Sequence, residues 1–196
     1  MAILTTLLWQ RLESPSLEHF TLESRANGFS LKGHVVLELN GEPAHVIYTI
    51  ETDTTWLTRT VLVLLSRDQG ETRLELRVDD DQWWWQGEHE LTNLRGRADV
   101  DLSVTPATNT LPLRRLGLEI GESVEVTAAW VKFPELTLEP LPQRYTRLSE
   151  HRYRYESGTA FAEFSADITT DADGVVTDYR HNSSFGWLRA ARNSIF

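Results

Sequence analysis

The chain predicts an all-β, mainly antiparallel fold: one large curled or closed β-barrel with little helix. Three observations carry this. Apolar and polar residues alternate with a period of two along almost the whole sequence, as on a half-buried strand. Short turn signals separate the alternating runs. Helical periodicity is confined to a turn or short helix near Leu113 to Leu116 and to the tail from Phe185 to Arg192. Ten or more strands can be counted in this way. So many antiparallel strands must close or stack to hide their edges. A barrel that wide can exceed what its own side chains fill, leaving a ligand cavity.

The runs follow one another without a linker. Ile3 to Trp9 is apolar but lacks the leading positive region and small-residue cleavage site of an export signal, and it is too short to span a bilayer. Phe29 to Leu39 and Ala44 to Asp53 flank the turn signal Asn40-Gly41-Glu42-Pro43. "WLTRTVLVLLS" and "TRLELRVDD" flank Asp68-Gln69-Gly70, and "SVEVTAAWVKF" follows Gly121-Glu122. "RYTRLSEHRYRYE" reads as a hairpin tipped near Ser149-Glu150, and Asp171-Ala172-Asp173-Gly174 joins "FAEFSADITT" to "VVTDY". No repeat divides the chain, so residues 1–196 are expected to form a single domain.

Composition narrows the function classes. With 196 residues the chain should bury roughly 70% of its unfolded surface and needs no staple. It has no cysteine, which excludes disulfides, thiolate metal sites and a cysteine nucleophile. The net charge of −10 argues against nucleic acid as a partner. Among the 19 lysines and arginines only Lys32 and Lys132 are lysines, and arginine's planar fork suits carboxylate, phosphate or sulfate. The expected compartment is the cytoplasm.

The stretch "DVDLSVTPATNTLPLRRL", Asp99 to Leu116, departs from the strand pattern. Val100, Leu102 and Val104 should face one way and Asp99, Asp101 and Ser103 the other. A polar, proline-stiffened segment ending in Arg114-Arg115 follows. Together with "AAWVKFPELTLEPLPQRYTRL", "YRYES" and "ADGVVTDY", this stretch resembles the bacterial putative glycolipid-binding family. The strongest matches are Asp99-Val100-Asp101-Leu102-Ser103 with Thr105-Pro106, Asn109-Thr110-Leu111-Pro112 with Arg114-Arg115-Leu116, and Gln143-Arg144-Tyr145-Thr146. The N-terminal half matches more loosely, through Trp9, Leu17-Glu18 and the strand around Gly33. The resemblance implies a mostly antiparallel fold similar to the curled barrel of bacterial lipoprotein carriers, which hold acyl chains between the sheet and a covering element. This chain departs from the family over its tail, residues 180–196, where members carry a short proline-glycine-aromatic ending. It also lacks the carriers' signal sequence.

In this setting the segment reads as a lid or rim across one barrel mouth. Thr105, Thr108, Asn109 and Thr110 would satisfy backbone groups that have left the sheet. Leu111, Leu113 and Leu116 would plug apolar space. Arg114 and Arg115 would either reach a head group or pair with strand carboxylates such as Asp99 and Asp101. In the 143–156 hairpin, a two-residue turn at Ser149-Glu150 would place Arg144, Thr146 and Leu148 with His151, Tyr153 and Tyr155, and Tyr145 and Arg147 on the other face. A three-residue loop would change that pairing. Trp83-Trp84-Trp85 must split across a strand. Phe185, Trp187, Leu188, Ile195 and Phe196 are too apolar for a free terminus and are expected either to dock over a barrel opening or to join copies of the chain.

No cofactor or metal is expected. Asp171-Ala172-Asp173-Gly174 lacks the flanking ligands of a calcium loop, His89-Glu90 has Asn93 where a zinc-protease helix has histidine, and the six histidines show no ligand spacing. There is no nucleophile elbow, phosphate loop or dinucleotide fingerprint. Asn182-Ser183-Ser184 matches a glycosylation sequon.

The leading functional expectation is non-enzymatic binding of an amphipathic ligand, a glycolipid or other lipid, in or at the mouth of a barrel cavity. Its expected ligand-binding residues are Asn109, Arg114, Arg115, Trp130, Arg144, Tyr145, Tyr153 and Tyr155, with no catalytic residue among them. The alternatives are a barrel-scaffold hydrolase or isomerase using Asp99, Asp101, His151 or Glu156, and a protein-interaction module built on the tail.

Overall fold

The computed structural model describes residues 1–80, 82, 84–161, 163–181 and 184–189. The first eight strands are β1 (Ala2–Arg11), β2 (Ser16–Arg25), β3 (Gly28–Leu39), β4 (Glu42–Thr52), β5 (Thr58–Arg67), β6 (Gly70–Val78), β7 (Trp84–Gln86) and β8 (His89–Glu90). A short β9 (Val100–Leu102) and helix α1 (Thr110–Leu116) follow. The chain then adds β10 (Ser123–Lys132), β11 (Thr137–Ser149), β12 (Arg152–Ser157), β13 (Phe164–Thr170), β14 (Val176–Arg180) and β15 (Gly186–Arg189).

Among the described residues these strands form one sheet in the order β8-β7-β6-β5-β4-β3-β2-β1-β15-β14-β13-β12-β11-β10-β9, curled and not closed. Every chain-consecutive pair from β1 to β8 and from β10 to β15 is antiparallel, and β9 runs parallel to β10. The segment expected to fall outside the strand pattern, from Phe185 onward, instead supplies β15. It pairs with β1 through Trp9↔Arg189, Gln10↔Leu188 and Arg11↔Trp187. Four residues are too few to show alternation; the open edge of β1 makes them a strand. Residues 190–196, which include Ile195 and Phe196, lie outside the described residues, as do Asn182 and Ser183 of the sequon, Asp81 and Trp83.

The turns follow local chemistry where the sequence has it. Leu39↔Glu42 leaves Asn40-Gly41 as a two-residue turn with φ of 54° and 84°, the left-handed pair that suits a right-twisted hairpin. The β11–β12 turn is Glu150-His151 rather than Ser149-Glu150, because a bulge between Arg147 and Ser149 shifts the register. Tyr145 therefore lies opposite Tyr155, on the inner face. Trp84 is fully buried, its indole N–H donating to Arg97 O at 2.8 Å, while Trp85 turns to the other face under Arg77.

Residues 104–113 are buried without a break. The segment is therefore an interior plug in the concavity of the sheet and not a rim. Its composition fits that position. Pro106 and Pro112 bring no N–H to satisfy. Thr105 Oγ1 accepts from Ala107 N at 3.0 Å, Thr108 Oγ1 from Leu102 N at 3.4 Å, and Thr110 Oγ1 from Val176 N at 3.5 Å. The threonine hydroxyls thus satisfy one N–H of the segment itself and one each on β9 and β14, the strands it packs against. Val104, Ala107, Leu111 and Leu113 join the hydrophobic core that both halves of the sheet share.

One polar contact ties the plug to that core. Tyr48 Oη and Thr105 Oγ1 donate to Glu18 Oε1 at 2.5 and 2.9 Å, and all three side chains are buried. Burial pushes the Glu18 carboxyl from 4.5 up to about 8 against the opposing pull of these two hydrogen bonds. Tyr48 reaches Glu18 by lying across Gly33, its cross-strand partner. A Cβ at position 33 would stand 2.1 Å from Tyr48 Cε1.

Gly33→Ala therefore forces apart a ring that is hydrogen-bonded in place, and it should cost about 2–3 kcal/mol in urea unfolding. The Glu18 pKa is raised on folding, so its contribution to stability is complete below about pH 4.5 and is lost as pH rises through about 8. The melting temperature should then fall more steeply between about pH 5 and 8 than that of Glu18→Gln, which keeps an acceptor and cannot ionise. Parallel pH profiles would show that no proton is held there.

Candidate functional site

A cavity of about 350 Å³ lies between the plug and the C-terminal half of the sheet. Its floor is Asp101 on β9 with Ser103, Thr105, Pro106 and Asn109 of the plug. Its wall is aromatic: Trp130 on β10, Tyr155 on β12, Phe164 on β13, Tyr179 on β14 and Trp187 on β15, with Phe185 just before β15. Arg11, Leu102, Leu141, Ser157, Gly158 and Glu163 complete the lining. A larger hollow beside Leu17, Val36 and Pro43 gathers no comparable set of polar groups.

The polar groups form a connected network. Gln143 Nε2 donates to Asp101 Oδ2 at 2.5 Å and to Tyr155 Oη at 3.1 Å. Tyr145 Oη donates to Asn109 Oδ1 at 2.8 Å and lies 3.2 Å from Gln143 Oε1. Burial raises the Asp101 carboxyl from 3.8 to about 6, with the Gln143 hydrogen bond opposing. Burial likewise raises the Tyr145, Tyr155 and Tyr179 hydroxyls, so all three are neutral donors at physiological pH. The rings support one another: Phe164 stacks on Tyr179 at 6.2 Å and meets Phe185 edge-on at 5.8 Å. Arg11, ion-paired with Glu13, lies 5.5 Å from the Trp187 ring.

Asp99, just before β9, and Asp101 within it alternate onto one face yet meet different fates. Both faces of this short strand are covered, because the plug folds back over it. Asp99 is 1% exposed and takes a bidentate pair from Arg115, Nε to Oδ1 at 3.1 Å and Nη2 to Oδ2 at 2.5 Å. Burial raises its pKa and the Arg115 guanidinium opposes that rise. Asp101 is held by the Gln143 amide instead of a guanidinium, and it opens into the cavity.

Of the residues expected from sequence to contact ligand, Asn109, Trp130 and Tyr155 line the cavity and Tyr145 stands directly behind Asn109. The arginines are elsewhere. Arg114 donates to Asp173 O at 2.6 Å and stacks 4.9 Å from Trp56. Arg115 is held by Asp99. Arg144 lies on the outer face, 2.8 Å from Glu125 and 4.1 Å from the Phe161 ring centre. Tyr153 faces inward at a separate hollow beside Arg114 and Gly174. Among the alternative catalytic candidates, His151 sits in the β11–β12 turn and Glu156 lies 3.8 Å from Arg144 on the outer face. Sequence reasoning did not bring Gln143, Phe164, Tyr179 and Arg11 to one site. Gln143 and Tyr179 each stand within a stretch that carries the family resemblance, but the four residues come together only when β1, β13, β14 and β15 become neighbours.

Among the described residues no His, Asp or Glu cluster is arranged to hold a metal, and no helix is long and apolar enough to cross a membrane. Asp171 Oδ1 instead accepts from Asp173 N and Val175 N at 3.0 and 2.9 Å, an Asx turn.

An open, curled antiparallel sheet around an internal plug, with a mixed aromatic and polar cavity beside it, defines a barrel-like protein with an internal site. The chain belongs to the family described as putative glycolipid-binding, whose model matches residues 6–184. It is similar to the crystal structure of a DUF1089 family protein from Pseudomonas aeruginosa, with 29% identity, a TM-score of 0.78, and 89% of this chain and 92% of that one covered. It shares its fold with a β-barrel-like protein of domain of unknown function DUF1849 from Brucella abortus, at 8% identity, a TM-score of 0.53, and 93% and 92% coverage. No curated protein matches the sequence.

The arginine placements are testable. Arg115→Ala strands a buried carboxylate and should cost about 3–5 kcal/mol in chemical denaturation. Arg114→Ala removes an exposed contact and should cost about 1 kcal/mol or less.

Proposed function

We propose that the protein binds one amphipathic ligand, a glycolipid or related lipid, at the cavity between plug and C-terminal wall. The observation that carries this reading is the meeting, in one cavity, of a largely aromatic wall with a hydrogen-bonded polar floor. Aromatic rings cover apolar surface, and Asp101, Asn109 and Tyr155 offer acceptors and donors that an amphipathic molecule can use together. The family description and the barrel-like fold of its relatives support the same reading. Head-group capture by Arg114, Arg115 and Arg144 loses its support, since each is engaged away from the cavity.

A second reading, hydrolysis at the same cavity, draws on Asp101 and Glu163. Burial raises the Asp101 pKa to about 6, while the Thr159 N–H, donated at 2.9 Å, lowers that of Glu163. Both carboxyl groups line the cavity, where one could serve as acid and the other as base. Release of reducing sugar from an alkyl glucoside, abolished by Asp101→Asn, would select it.

For the binding reading, the protein is incubated with a bacterial lipid extract, desalted and examined by native mass spectrometry. The expected result is a one-to-one adduct on the 22.5 kDa chain that is extractable into organic solvent and weakened about tenfold or more in Trp130→Ala with Tyr155→Ala. A clean unliganded mass under these conditions overturns the proposal.

A further inference from the structure

We infer that the cavity takes the sugar end of an amphipathic ligand, a single neutral hexose-sized group, while the acyl end stays outside it. This rests on the amphipathic-ligand reading above and reverses the polarity expected when the interior of the curled sheet was read as the home of an acyl chain.

Space admits a sugar. A volume of 350 Å³ corresponds to about a dozen waters, and bonded atoms pack closer than separate waters, so one hexose enters with room to spare. Part of the concavity is already occupied by chain, since Val104, Ala107 and Leu111 of the plug are at most 2% exposed.

The lining points the same way. A bare acyl chain in this cavity would cover the Asp101 carboxyl, which the Gln143 amide alone does not saturate, without offering it a hydrogen bond, which is costly. Sugar hydroxyls replace them. Among the described residues, the donor that reaches the Asp101 carboxyl is Gln143 Nε2, which leaves acceptor capacity facing the cavity. The apolar C–H face of a pyranose suits the aromatic side chains that line the cavity, among them Trp130 and Trp187.

Charge then narrows the head group. The described lining holds two carboxyl groups, Asp101 and Glu163, against one cation, Arg11, which is already paired with Glu13. A phosphate, sulfate or carboxylate head would meet repulsion that this engaged cation does little to offset. Neutral hydroxylated heads are selected.

The test uses four probes below their micellar concentrations on the full chain: n-octyl β-D-glucopyranoside, an equimolar set of methyl glucoside, galactoside and mannoside, methyl glucuronide, and octanoate. Binding is read by tryptophan fluorescence, since Trp130 and Trp187 line the cavity, and by native mass spectrometry. Octyl glucoside should bind, at least one neutral methyl hexoside should displace it, and glucuronide and octanoate should not. Asp101→Asn should weaken the competing hexoside about tenfold to a hundredfold. Ser157→Ala, also in the lining, supplies a second variant should Asp101→Asn fold poorly. Displacement by octanoate, with no effect of any methyl hexoside, overturns the sugar-end inference and leaves the lipid-binding reading standing. Failure of every probe together with a clean unliganded mass overturns both.

Discussion

The hydrogen bond from Thr105 to the buried carboxyl of Glu18 holds a proline-stiffened stretch of chain inside the sheet, and the cavity exists because that stretch is there. A curled sheet of this width cannot be filled from its own inner face alone. The plug buries Val104, Ala107 and Leu111 in the core, touches the C-terminal strands through Asn109 and Thr110, and leaves the cavity beside those contacts. Its attachment depends in turn on Tyr48, which reaches Glu18 across the missing side chain of Gly33. One glycine, one tyrosine, one protonated carboxyl and one threonine thus set where solid core ends and cavity begins.

The same segment separates two aspartates only two residues apart. Asp99 is neutralised by Arg115, which α1 carries back over β9, and so becomes part of the framework. Asp101 receives an amide, stays at the cavity floor and is pushed up to about 6. A buried charge needs a partner or shifts its protonation, and the fold assigns one outcome to each. The arginine pair that looks on paper like a ligand clamp is engaged in structure, one member on Asp99 and the other on Trp56 and the Asp173 carbonyl.

Cavity construction also depends on the meeting of the N-terminal and C-terminal strands. β15 enters between β14 and β1, and this brings Trp187, Phe185 and Arg11 to the same opening. The rest of the sheet is a local meander whose hairpins close over short loops, except that the plug separates β9 from its partner β10. The β1–β15 pairing spans nearly the whole chain and carries the larger loop-closure cost.

Part of this protein is written in neighbouring residues. Period-two alternation specified strands, Asn40-Gly41 specified a primed turn, and the threonines and prolines of 105–112 announced a backbone leaving its ladder, because each of these is a local preference of φ, ψ or side-chain hydrogen bonding. The family motif, with Asp101, Asn109 and Gln143 inside it, was legible differently, as a resemblance carried by runs of neighbouring residues. The remainder needed the folded chain. That the segment is a plug and not a rim depends on distant groups, since ten residues of mixed polarity are buried only if partners such as Glu18 and Val176 N receive them. The inward face of the 143–156 hairpin was likewise set in three dimensions, where a single bulged residue reverses every side chain beyond it. Strand order settled which aromatic residues form one wall: Trp130, Phe164, Tyr179 and Trp187 become neighbours through it, a property that no window of sequence contains.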